Sequence, residues 1–153
     1  MKKNWWKVPI YCIIASLVCF QLEIRLLGRW AIITLPDGSV SSDNTRWLIM
    51  SACLFVLVVA VGVFFIFRKM SRKEVLYSAL VLVCFNIVIG LLGFVTPFFS
   101  LVLAYCSEWQ SVISQLLFLI TDNKWIHNLV FWILPPFVFV PFGKKEKGDE
   151  FVS

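Results

Sequence analysis

The sequence predicts an all-α integral membrane protein, an antiparallel bundle of four transmembrane helices. Three observations carry that expectation. Of the 153 residues, 60% are hydrophobic and 15% charged, with a mean hydropathy of +0.88, whereas a soluble domain carries about 25% charged and roughly 45–50% apolar residues. Four long apolar runs follow one another along the chain. The basic residues gather beside those runs in three clusters: Lys2, Lys3 and Lys7; Arg68, Lys69, Arg72 and Lys73; Lys144, Lys145 and Lys147. That is the pattern of cytoplasmic loops. Fifteen Phe and seven Trp are more than so short a soluble fold could hide, and disordered segments are poor in aromatics.

The first span is expected over about 8–27, with Trp5 and Trp6 in the interfacial belt. No small-residue cleavage pattern follows its apolar core, so it is expected to stay attached. A polar loop comes next, in which Pro36-Asp37-Gly38-Ser39 is a strong turn signal. A small hairpin, Ile32–Leu35 against Ser39–Ser41, is expected there on the outer side. The second span, about 47–67, contains no charge, and its length of about 31 Å matches the hydrocarbon core. The stretch from Arg68 to Lys73 reads as a tight cytoplasmic turn.

The third span is expected over about 75–103, longer than a bilayer requires, with Pro97 as its kink point. The segment at about 109–121 alternates polar and apolar pairs at a helical period. It reads either as a helix on the outer leaflet or docked on the bundle, or as an extension of the third span. The fourth span, about 125–142, should be regular only to about Leu134, because Pro135, Pro136 and Pro141 interrupt its second half. The whole is expected to be one transmembrane domain over 1–143, with a charged cytoplasmic tail over 144–153. Both termini should then be cytoplasmic and the location the plasma membrane.

Ionisable groups inside a span are costly and so mark candidate sites. Glu23 lies about 24 Å above Lys7 and shares a helix face with Cys12, Ser16 and Cys19. Arg46, Lys124 and His127, at the mouths of other spans, are its expected partners. His127 itself is expected at the interface, hydrogen-bonded. In the third span Ala79, Asn86, Gly90, Gly93, Pro97 and Ser100 lie within about 40° of one line, a stripe suited to close helix packing.

The five cysteines are scattered, without a C-x-x-C pair, so no disulfide framework or metal site is expected. No nucleotide, hydrolase or zinc-peptidase motif occurs, and no cofactor is expected. The basic clusters suit anionic lipid better than nucleic acid, which would need a basic face on a soluble domain. Partners are therefore the bilayer and another membrane protein or further copies of the chain. The leading function is a non-enzymatic accessory or interaction subunit of a membrane complex. The alternatives are a small homo-oligomeric transporter or pore using Glu23, and an integral membrane enzyme.

Overall fold

The computed structural model describes residues 4–144, the side chains of residues 26 and 27 excepted. The expected tail beyond Lys144 and the lysines at 2, 3, 145 and 147 lie outside the described residues. Four helical segments are long and apolar enough to cross a membrane: Lys7–Arg25, Asn44–Lys69, Arg72–Val95 and Lys124–Phe142.

Helix α1 (Lys7–Leu22) continues into a π-helical turn, Glu23–Leu27, then into the short α2 (Gly28–Ala31). Strands β1 (Ile32–Thr34) and β2 (Val40–Ser42) form an antiparallel hairpin in the register Ile32↔Ser42. The second strand thus sits one residue later than the expected Ser39–Ser41. The reason is the turn: Gly38 takes φ 84°, and the Ser39 hydroxyl and amide both donate to Asp37. Those bonds hold the Asp37 carboxyl below its ordinary range.

Asp43 caps α3 (Asn44–Phe65) by accepting from the amides of Thr45 and Arg46. A 3-10 turn at Phe67–Lys69 leads to α4 (Arg72–Val95), which opens with a reciprocal Ser71–Glu74 capping box. The start of α1 meets the start of α4: Asn4 donates to Glu74, and the Val8 amide donates to Ser78, whose hydroxyl donates to the Trp5 carbonyl.

The third apolar run does not continue to residue 103. Thr96 is extended (ψ 121°), α4 ends at Val95, and Pro97 begins a separate helix, α5 (Pro97–Ser107). Proline disfavours helical backbone in the residue before it yet suits a first helical position, so it ends one helix and starts the next. Helix α5 folds back on α4 and packs on α1, with Phe20 and Tyr105 edge to face at 4.7 Å. A 3-10 turn at Glu108–Gln110 reverses the chain again into α6 (Ser111–Ile120).

Helix α6 packs on α3 and α7 (Lys124–Ile133). It is not a surface helix with its polar side outward. Ser114 and Gln115 turn inward to His127 and Ser51, while Phe118, Leu119 and Ile120 stay exposed. The regular helix ends at Ile133, next to the expected limit at Leu134, and the proline-rich stretch beyond it forms a 3-10 helix over Pro135–Phe142. Its tighter i→i+3 bonding tolerates the missing proline donors over a short run. Lys144 closes the fold, its backbone pairing with Met70 and Arg72.

The centre is aromatic. Tyr11, Phe67, Trp109 and Phe139 pack with ring centroids 4.5 to 6.1 Å apart, and Phe55 stacks on Trp109 at 5.7 Å. Phe67, Trp109 and Phe139 are fully enclosed. Trp109 comes from the turn between α5 and α6, so this helical hairpin reaches the middle of the bundle with its tip.

Candidate functional site

The hairpin tip is held by one hydroxyl. Ser16, fully buried midway along α1, donates to the Cys106 carbonyl at 2.7 Å and accepts from the Trp109 amide at 3.4 Å. These are a carbonyl at the end of α5 and an amide of the turn, groups a helix end leaves without internal partners. Cys12, Ser16, Cys19 and Glu23 are all buried, so their shared face of α1 looks into the bundle.

Glu23 is 4% exposed and begins the π-helical turn, where the Gly28 amide donates to its carbonyl. A side chain at Gly28 would put its Cβ 2.8 Å from that carbonyl oxygen, so the turn requires glycine. π-turns insert a residue and re-aim the rest of the helix, and they concentrate at functional positions. Here the turn leaves Glu23 facing inward.

The group that the Glu23 carboxyl meets is Glu108. Glu23 Oε1 receives no hydrogen bond from the donors among the described residues. In the same turn as Glu108, Gln110 is 1% exposed; its Nε2 donates to the Phe131 carbonyl at 3.1 Å, while its Oε1 has no partner among the described residues.

Of the expected partners of Glu23, Arg46 and His127 are engaged elsewhere. Arg46 pairs with Asp43 at 3.3 Å, donates to the Trp30 carbonyl and lies over the Trp30 ring. Lys124 is exposed at the first turn of α7. His127 is buried near the start of α7, between Phe118 and Phe131, and its Nε2 lies 3.2 Å from both the hydroxyl and the carbonyl oxygen of Ser114. The small-residue stripe is also divided. Ala79, Asn86 and Gly90 are buried on α4, where Asn86 donates to the Trp132 carbonyl. Pro97 and Ser100 sit on α5 instead, exposed, and the Ser100 hydroxyl returns to the Gly93 carbonyl at 3.2 Å.

A pocket of about 240 Å³ opens between these elements, with Gly90, Ser100, Ser114, His127, Asn128 and Trp132 on its walls. Among the described residues no three of His, Cys, Asp and Glu come together as metal ligands would. Sequence reasoning does not find Glu108 as the neighbour of Glu23. The signal in the chain is the polar break Ser107-Glu108-Trp109-Gln110 between two apolar segments of about ten residues each. Comparison with protein-family models, with curated proteins and with solved structures finds no match to this chain.

Proposed function

We propose that this chain is an integral protein of the plasma membrane with four antiparallel spans, both termini cytoplasmic, working as a non-enzymatic subunit of a larger membrane complex. Membrane residence is supported by an inverted distribution of side chains. Only 28 to 39% of each span's most apolar stretch is buried, so large apolar groups such as Val56, Phe64 and Leu91 face outward. Helices α5 and α6, of 11 and 10 residues, are too short to cross about 30 Å of hydrocarbon. They make a re-entrant hairpin, whose tip interrupts the α-helical bonding and is acceptable in a bilayer because protein encloses Trp109 and Gln110.

The observation that carries the subunit reading is the filled centre. Tyr11, Phe67, Trp109 and Phe139 occupy the position where a single copy would need a passage. What such a chain offers other molecules is its outer surface. Extraction from native membranes in mild detergent, followed by affinity capture and mass spectrometry, tests this. A second protein recovered in fixed stoichiometry is expected; the chain recovered only as a monomer, or only with itself, overturns it.

One observation favours the second reading, a homo-oligomeric transporter or pore. The buried Glu23 carboxyl meets the half-buried Glu108, and intramembrane carboxyls mark ion and proton paths. Recovery of a pure homo-oligomer in the same experiment would turn the assignment to that pair.

A further inference from the structure

We infer that the groove between the start of α1 and the end of α3 binds an anionic phospholipid, its phosphate between Lys7 and Lys69 and one acyl chain along Ile10, Ile14 and Phe65. The inference rests on the membrane reading above and concerns a site separate from the hairpin. The groove encloses about 330 Å³ and is lined from both helices. Its floor is apolar and open to the surroundings, with Ile10, Ile14 and Phe65 46 to 63% exposed. Its mouth is cationic and carries Trp6, the side chain that favours the headgroup level.

Depth and charge both select the occupant. From Lys7 to Ile14 the helix rises about 10 Å, most of the roughly 15 Å that one leaflet contributes to the hydrocarbon core. A ligand with an anion at one end and a long apolar chain below it fits that order. Among the described residues Lys7, Arg68, Lys69, Arg72, Lys73 and Lys144 share this end of the bundle with one carboxylate, Glu74. Glu74 is occupied by Asn4 and the Ser71 amide, and Arg72 by the carbonyls of Pro141 and Gly143. No described carboxylate pairs with Lys7 or Lys69. Lysine stems can lie along an apolar groove of this kind while the ammonium groups stay at its rim. A zwitterionic lipid would bring its own cation to that rim, so a net negative headgroup is preferred.

The test uses the full chain in nanodiscs of equimolar phosphatidylcholine and phosphatidylglycerol. A benzophenone amino acid replaces Ile10 in one sample and, as control, the exposed Leu91 of α4 in another. Adducts are identified by mass spectrometry. At position 10 phosphatidylglycerol should be captured at least about fivefold over phosphatidylcholine, the ratio expected from one lysine near the surface. At position 91 capture should be even. Lys7→Gln with Lys69→Gln should abolish the preference, and Lys7→Arg with Lys69→Arg should keep it. Even capture at position 10, or a preference that survives the Gln variants, overturns the lipid site. A chain that gives no lipid adduct at position 91 would overturn the membrane reading itself.

Discussion

Single atoms decide how closely α4 and α7 approach. At Gly90 an added Cβ would stand 2.5 Å from the Trp132 ring, and Trp132 is held in turn by Asn86 at its carbonyl. An indole wedged at 5% exposure has little room to yield. Gly90→Ala should therefore destabilise the chain in detergent by about 1–3 kcal/mol, the usual cost of overpacking. Leu91→Ala, one residue along but exposed, should change it by less than about 1 kcal/mol. Thermal unfolding of the purified chain read by tryptophan fluorescence distinguishes the two, and equal sensitivity would mean that Trp132 can move aside. At this scale sequence periodicity is a sound guide on one helix. It places Cys12, Ser16, Cys19 and Glu23 on a common face because a regular helix repeats every 3.6 residues. It cannot identify Glu108 as the neighbour of Glu23, since that meeting depends on two chain reversals and not on any local period.

The hairpin of α5 and α6 is the element whose existence depends most on the rest of the molecule. Its helices are short, and isolated helices of about 10 residues are marginal. What keeps the tip inside is Ser16, Trp109 and the rings around them. Ser16→Ala would leave the buried Trp109 amide and the part-buried Cys106 carbonyl without their partner, at a cost of about 1–3 kcal/mol. Hydrogen exchange at residues 106–110 should then rise markedly, while the middle of α4 stays protected. Ser51→Ala, which removes only the bond from Gln115, should leave the tip unchanged. The same dependence explains what is and is not legible in the sequence. Four apolar runs can be read because length and hydropathy suffice to mark them. Pro97 announces a break in the third, yet whether the chain kinks or turns back depends on distant contacts, such as that of Ser16 with Cys106, 90 residues apart in sequence. Helix α6 is legible as a helix, one reading docking it on the bundle, but the direction of its polar face is not, for a related reason. Its stripe is real, but in a bilayer the polar side of a helix can turn inward, and periodicity alone does not say which face is wet.

Across the whole molecule, charge and connectivity make one topology. Lys144 pairs with Met70 and Arg72, and Asn4 with Glu74, so the start of the described chain, the α3–α4 turn and the start of the tail gather at one end with most of the basic residues. On the proposed membrane reading, the positive-inside rule assigns that end to the cytoplasm. The β-hairpin, capped onto α3 through Asp43, belongs to the other end. A re-entrant hairpin adds a sharper requirement. If α5 and α6 enter and leave by the same face, residues 121–123 lie on the side of the β-hairpin; if together they crossed the bilayer, those residues would lie with Arg68. Single cysteines at Ser41, Arg68 and Asp122, each in a background without the five native cysteines, separate these arrangements. Ser41, Arg68 and Asp122 are all exposed, so access to reagent and not burial decides the outcome. A membrane-impermeant maleimide applied to intact cells should label positions 41 and 122 and should reach 68 only after lysis. Labelling of 41 without 122 would convert the hairpin into a crossing, and labelling of 68 alone would invert the molecule.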